Sequence, residues 1–485
     1  MKFIKIILIV FFLIPIKNFS QTPTDYLPAT FHKNRRAALR AKMPKNSVAI
    51  VFANPTRNRA NDVDYVYHQD PNFYYLTGYR EPNAVVLIFS ENQTVASGDV
   101  YNEMIFVQER NEKYEMWNGK RLGVKGIKSQ LGFEQVFERK EFLNMTFDFQ
   151  KFDKVFVKKF RDDYRDAYAD SADLFNLVQS FKEKSFYSQI RKSEENATTE
   201  QQLKKNIDFW FLDTQIGKLR GIKTKEELKL LTKAIRISAI GQIEVMKAMK
   251  PHLSETELQG IHEFVYKKYG AEYEGYPSIV GAGNNGCILH YIENNKTKVG
   301  NDLVLMDLGA EYRGYTADVT RTIPANGKFT PEQKAIYDIV LEAQEAGIAK
   351  YKIGIDFNLP KKEARKVINQ GLFDLGIIKS IDEKHNYLPH GTSHHIGLDV
   401  HDPSKYKTFQ ENMVITMEPG IYIPEGSPCD KKWWGIAVRI EDDILVTNGE
   451  PINLSAEAPR TTEAIENMMA KKSVLDEFIL PNLDE

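Results

Sequence analysis

The sequence predicts a two-domain protein of mixed α/β (α+β) class, and three observations carry that prediction. The chain has 485 residues, too many for one ordinary domain and enough for two of roughly 200–270 residues each. Across the first half, β-rich runs alternate with polar, helix-compatible stretches, as they do in a mixed α/β domain. The second half opens on a long helical pattern. It then turns to strand patterns rich in Val, Ile and Met, which carry most of the histidines and acids of interest.

Taken in order, Thr30 to Met43 reads as a short basic helix stopped by Pro44. Strands are expected at Ser47 to Ala53, Ala84 to Ser90, Met104 to Gln108 and Lys154 to Phe160, with a helix over Asp170 to Glu183. Between Lys192 and Gln202 the chain is polar and lacks a core pattern. The expected organisation is therefore a leader over 1–20, an amino-terminal domain over 21–205 and a second domain over 206–485. Lys225 to Met249 has the helical period and ends before Pro251. Ser254-Glu255-Thr256-Glu257 has the capping-box arrangement, so a helix starts there and runs to about Tyr269, where Gly270 stops it. Strands are expected from Gly300 onward.

Composition narrows the function. Hydrophobic residues make up 42% and charged residues 27%, which excludes general disorder and a multi-pass membrane protein. Lys plus Arg (65) balances Asp plus Glu (66), so no basic bias points to nucleic acid. Two cysteines, Cys287 and Cys429, exclude a disulfide scaffold and a Cys-rich zinc fold. Any metal must be held by histidines and carboxylates.

Lys2 and Lys5 precede an apolar run from Ile6 to Ile16, and Ser20 is small enough to precede cleavage. The run is about half the ~20 residues needed to span a bilayer and fits a signal peptide. The expectation is export to the periplasm or medium, a mature chain starting near Gln21, and membrane contact only during export. An uncleaved anchor is the alternative. Export would permit a Cys287–Cys429 bridge without requiring one.

The densest chemical signal is LVLMDLG followed by GYTAD. Asp307 and Asp318 lie symmetrically about Tyr312-Arg313. A hairpin turning there sets them directly opposite, with Cβ atoms about 4.5–5.5 Å apart, destabilising unless a cation sits between them. Taken alone, the pair reads equally as an exposed turn acid and a strand-end cap. Four of the ten histidines (His390, His394, His395 and His401) then fall within twelve residues, interrupted by Gly391 and Gly397. Glu418 ends a strand at Pro419-Gly420. In GIAVRIE, residues 436, 438 and 440 share an apolar face while Arg439 and Glu441 share the other with Ala437. That pattern fits a strand lining a cleft, or an edge strand with a solvated ion pair. Oxygen-rich ligation with one imidazole suits Mn²⁺, Co²⁺ or Fe²⁺ and tolerates Zn²⁺. Four carboxylates are better balanced by two ions than by one.

The order Asp307, Asp318, His394, Glu418, Glu441 resembles the metal-ligand set of the superfamily that holds methionine aminopeptidase, prolidase and aminopeptidase P, which has the pita-bread fold. PSIVGAGNNGCILHY (Pro277 to Tyr291), HGTSHHIGLDVH, EPGIYIPEG and GIAVRIEDDILVT are more similar to the Xaa-Pro aminopeptidases. The amino-terminal segment YHQDPNFYYLTG (Tyr67 to Gly78) looks like the creatinase/prolidase-type domain that methionine aminopeptidases lack. Asn284 departs from the pattern, where many relatives carry Glu.

The resemblance implies a pita-bread catalytic domain preceded by that amino-terminal α/β domain. It implies two divalent ions, most simply Mn²⁺, with Asp307 on one, His394 and Glu418 on the other, and Asp318 and Glu441 bridging both. The implied reaction is hydrolysis of the bond before a penultimate proline by a hydroxide bridging the metals. His290 and His401 assist, Glu418 shuttles the proton, and His390, Arg439 and Tyr422 bind substrate. The implied partners are peptides with penultimate proline and further copies of the chain, as a dimer or tetramer. A prolidase acting on Xaa-Pro dipeptides would share every ligand. A binding module on the same fold would be expected to have lost some of them.

Overall fold

The computed structural model describes residues 23–94, 98–161, 163–167, 169–187 and 205–477. The expected leader over 1–20 and most of the expected linker lie outside these residues. Among the described residues no helix is long and apolar enough to cross a membrane.

The amino-terminal half is built on a six-stranded mixed sheet, in the order Val136–Glu138, Val100–Val107, Val85–Thr94, Ser47–Phe52, Lys154–Val157, Ile207–Asp208. The three central strands are antiparallel, and Lys154–Val157 runs parallel to Ser47–Phe52. The last strand extends this sheet past residue 205, because Ile207 and Asp208 pair with Val155 and Phe156. The sheet is buried on both faces, which is why its strands read as near-continuous apolar runs. Val48 and Ile50 pack with Phe106, Phe142, Phe149 and Phe181. Ala49 and Val51 point the other way, into a larger core.

That larger core crosses between the two halves of the chain. It takes in Phe31 and Leu39 of the helix Ala29–Arg40, and Phe73 and Tyr75 of the short helix Pro71–Thr77. From the second half it includes Leu231, Ile235, Met306 and Ile415. Pro71–Thr77 is fixed at both ends. The Asp70 carboxylate accepts from the amides of Asn72 and Phe73, and Gly78 closes the helix with φ +73°.

In the second half, the helices Lys225–Ala248 and Glu255–Lys268 begin with capping boxes at Thr224/Glu227 and Ser254/Glu257. Together with the helices Pro331–Ile348 and Leu359–Asp374 they surround four short antiparallel sheets. Ile279–Ala282, Leu303–Leu308 and Val319–Pro324 form one sheet, Tyr273–Glu274, Ala310–Tyr312 and Tyr315–Thr316 a second, Val414–Met417, Asp442–Leu445 and Ile452–Asn453 a third, and Gly420–Ile423 with Ile436–Arg439 a fourth. This is the pita-bread architecture. Every strand end named as chemically interesting converges on one side of these sheets.

Candidate metal centre

Asp307 and Asp318 come from the hairpin Leu303–Pro324, whose register differs from the expected one. Tyr312 opposes Tyr315, and Asp307 opposes Thr320. Asp318 is therefore diagonal to Asp307 and on the same face, a spacing of about 7–8 Å between such positions. The turn sits at Arg313-Gly314 because a tight hairpin turn needs positive φ at both central residues. Here these are +54° and +86°, and glycine supplies the second without strain. Centring the turn one residue earlier would have put that demand on Tyr312.

Both aspartates are nonetheless drawn together. The Tyr276 hydroxyl lies 2.6 Å from Asp307 Oδ1 and 2.5 Å from Asp318 Oδ1. Asp318 is 5% exposed and Glu441 1%, so the exposed-acid and solvated-edge alternatives both fail. Glu441 projects from the end of the run Ile436–Arg439. Its Oε2 accepts from Thr320 Oγ1 at 2.7 Å, and its buried Oε1 has no hydrogen-bond partner among the described residues. Glu418 follows the strand Val414–Met417, and its amide is held by the Thr392 carbonyl.

His394 supplies the nitrogen. Its Nδ1–H donates to the His395 carbonyl at 3.1 Å, which turns Nε2 inward. That Nε2 is 3.4 Å from Asp318 Oδ2, 3.6 Å from Glu418 Oε1 and 3.8 Å from Glu441 Oε1. Ligand atoms of Asp318, His394 and Glu441 all lie within 4.8 Å of one another. Buried carboxylates crowded around one inward nitrogen, one of them with an orphaned oxygen, repel one another unless positive charge sits among them. The donor set therefore fits divalent cations.

The electrostatics record the same strain. Burial first, then Asp307 and Asp443, pushes the Asp318 carboxyl well above the usual range, and burial with Asp318 and Glu418 does so for Glu441. Burial brings Glu418 up to about 7. Asp307 goes the other way: burial would raise it, but Arg439 beside it holds its carboxyl below the ordinary value, with Arg439 Nη2 donating to Asp307 Oδ2 at 2.6 Å.

Arg439 also donates from Nη1 to the Tyr422 hydroxyl at 2.8 Å, and that hydroxyl lies 2.8 Å from His390 Nε2. His390 Nδ1–H is committed to the Gly391 carbonyl, so Nε2 accepts from Tyr422. Burial, followed by Arg439, keeps His390 neutral by lowering it to about 4.

These groups line a cavity of about 600 Å³ whose walls include His290, His390, His394, His401, Arg439, Leu289 and Val400. Every expected site residue lines it except Tyr422, which sits behind Arg439 and His390 at 3% exposure and positions both. Sequence reasoning missed Tyr276, Thr320 and Asp443. Asp443 accepts the Asp318 amide at 3.1 Å and has its own unpartnered oxygen. Its signal was the two-residue alternation with Glu441. Tyr276 carried none. Cys287 is half-buried beside Tyr291 and Leu305, and both cysteines are free.

This fold and this carboxylate-rich centre define a metallopeptidase. Residues 229–448 match metallopeptidase family M24, and residues 32–155 match the aminopeptidase P N-terminal domain. The chain is 36% identical over 451 residues to the Xaa-Pro aminopeptidase of Escherichia coli (strain K12), covering 90% of this chain and 97% of that protein. It is 32% identical over 439 residues to Xaa-Pro aminopeptidase 3 of Homo sapiens, covering 88% and 82%. The structure of E. coli aminopeptidase P with the inhibitor Pro-Leu superposes with a TM-score of 0.80 at 33% identity, covering 92% of this chain and 98% of that one. A zinc-substituted form of the same enzyme with product gives the same TM-score. The chain belongs to the Xaa-Pro aminopeptidase family, and it is a hydrolase.

Proposed function

We propose that this protein removes the amino-terminal residue from peptides whose second residue is proline, using two divalent ions, most simply Mn²⁺. The observation that carries the proposal is the cluster Asp307, Asp318, His394, Glu418 and Glu441 at the base of a histidine-walled cavity, with a buried Glu441 oxygen left unpartnered. Asp307 would hold one ion and His394 with Glu418 the other, while Asp318 and Glu441 would serve both. Bound there, the ions supply Lewis acidity at the scissile carbonyl and an activated water near neutral pH.

The chain's own groups do the rest. Glu418 can take a proton from water and return it to the proline nitrogen as it leaves. His401 is lowered by burial and by His394, so it stays neutral and offers an N–H to oxygen charge developing on the carbonyl. Arg439, Tyr422 and His390 form a fixed chain that orients Asp307 and the cavity wall. Proline suits such a wall because its imide brings no N–H that would need an acceptor.

The reading includes export, supported by the run Ile6 to Ile16. It also includes a homo-oligomer, dimer or tetramer, supported by the exposed Tyr114, Met116 and Trp117 on one short helix.

The test is amino-acid release by residues 21–485, with Mn²⁺ or chelator, on a matched Xaa-Pro dipeptide and Xaa-Pro-Xaa tripeptide. Tripeptide preference abolished by chelation is expected. Dipeptide-only cleavage would make the protein a prolidase. Glu418→Gln should abolish turnover, and normal turnover with metal retained would remove Glu418 from the proton-transfer role.

A further inference from the structure

Beneath the loop that carries His394 and His401 lies a second ionic cluster that the reaction does not use. Arg220 ends the helix Phe211–Gly221, which carries the chain from the amino-terminal sheet into the second half. Its side chain is 2% exposed, and those of Lys223 and Asp402 are 1% each. Arg220 Nη2 donates to Asp402 Oδ1, and also to Asp399 Oδ2 at 2.7 Å, while Lys223 Nζ reaches Asp402 Oδ2 at 3.2 Å. Arg220 Nη1 donates to Asn72 Oδ1 at 2.7 Å, and Asn72 belongs to the helix Pro71–Thr77 of the amino-terminal half.

The loop is wrapped on the Asp402 carboxylate. The Asp402 amide donates to the His395 carbonyl at 2.8 Å, and the Asp399 amide donates back to Asp402 Oδ1 at 3.3 Å. At Gly397 a Cβ would lie 2.8 Å from the Asp402 carboxyl carbon, so the wrap tolerates no side chain there. His401 sits between these anchors. Its ring stands at 90° to that of His394 with centroids 4.5 Å apart, and among the described residues no hydrogen bond holds it. Its pose is therefore set by the backbone on either side, which Asp402 and Asp399 fix.

We infer that Arg220, Lys223 and Asp402 form a clamp of positioning residues for His401, and that Asn72 ties the clamp to the amino-terminal domain. The inference rests on the role given to His401 above. It assigns the amino-terminal domain a part in turnover that is separate from contact with substrate. A buried pair of this kind adds little net stability compared with apolar packing, which leaves geometry as its use.

The experiment is a double-mutant cycle on the metal-loaded full chain with the Xaa-Pro-Xaa tripeptide. Asp402→Asn keeps shape and volume and weakens both ion pairs. It should lower kcat about 10- to 100-fold with KM moved less than about threefold, the size of effect a small misplacement produces. In a His401→Ala background the same change should cost less than about twofold, because the group it positions is already gone. Equal factors in both backgrounds, or no loss in either, would overturn the clamp.

If Asp402→Asn does not fold, Asn72→Ala carries the cycle, since it removes one hydrogen bond and no charge. It should show a smaller loss of kcat and the same non-additivity, and additivity there overturns the inference equally. Failure of the unmutated protein to cleave any Xaa-Pro peptide would fell the proposed function instead. In that case the His401 imidazole ¹H–¹⁵N NMR signal, assigned by its loss in His401→Ala, decides: it should move in Asp402→Asn and Asn72→Ala, and a fixed signal overturns the clamp.

Discussion

Glu441, Asp442 and Asp443 are three consecutive buried carboxylates that meet two different fates. Asp442 points into the scaffold, where Arg321 Nη2 donates at 2.8 Å, Ser455 Oγ at 2.6 Å and Gln344 Nε2 at 3.0 Å. Glu441 and Asp443 point the other way, as alternation along an extended chain requires, and each keeps one buried oxygen without a partner among the described residues. One face of the strand is neutralised from within the chain and the other is left without a counter-charge. A buried charge is costly unless paired, so the unpaired face is the one built to receive cations. Composition does not distinguish the two faces; partner counting does.

Removing a charge from the open face gives the largest expected effect. Glu441→Gln should cut metal content after dialysis and lower turnover by at least about 10³-fold, because the ions that activate water are no longer held. Its melting temperature without metal should not fall, since the substitution relieves repulsion from Asp318 and Glu418. A lower melting temperature with metal content intact would mean that Glu441 is scaffold after all.

The mirror experiment is Asp442→Asn on the closed face. It leaves Arg321, which is 0% exposed, with its charge accepted only by neutral groups, the carbonyls of Thr320, Glu441, Ala458 and Pro459 among them, and losing the charge partner of a buried pair costs up to about 3–5 kcal/mol. Thermal unfolding should show the loss, while the folded fraction keeps its metal stoichiometry. Loss of metal at unchanged stability would erase the distinction between the faces.

Much of the open face was legible in the sequence. Asp307, His394, Glu418 and Glu441 stand at strand ends or in an irregular glycine-flanked segment, where a strand pattern yields to polar residues. The hairpin turns one residue later than the symmetry about Tyr312-Arg313 suggests, because Gly314 accommodates the positive φ that the turn requires. Tyr422 has the pattern of a cavity residue, but its distance from substrate depends on Arg439 filling the space in front of it. Tyr276 reaches the aspartates from the bend between the strands Tyr273–Glu274 and Ile279–Ala282, where no local period could announce it. The strand Ile207–Asp208 is too short to carry a pattern at all.

Acidity separates the faces again. In metal-free protein Glu418 rises from an ordinary 4.5 to about 7, with Asp318 and Glu441 raised as well. A carboxyl whose folded value exceeds its unfolded value binds more protons when folded. Its contribution is present below about pH 4.5 and is lost as pH rises through about 7. Chelated protein should therefore melt at progressively lower temperature across that window. Added Mn²⁺ should cancel the trend by taking the place of the protons, which are released as it binds. A flat profile in chelator would mean that the open face is neutralised by something within the chain.

The smallest effect tests the pairing rule on the hairpin itself. Glu311 lies between Asp307 and Asp318 in sequence, yet it has an internal partner: His68 Nε2 sits 3.0 and 2.9 Å from its two oxygens. His68 Nδ1 is 3.0 Å from the Gln69 carbonyl, so both ring nitrogens face acceptors and only the charged ring can donate at both. The Glu311 contact, partly opposed by burial, raises His68 above its usual 6.5. A histidine raised on folding stabilises fully below pH 6.5, and that contribution is lost as pH rises through the folded value. The His68 side chain is 43% exposed, so solvent screening holds the pair to about 0.5 kcal/mol or less. His68→Gln should lower the melting temperature slightly at pH 6 and hardly at all at pH 9, with metal content unchanged at both. If metal content falls instead, Glu311 belongs to the open face, and the boundary drawn by counting partners has been put in the wrong place.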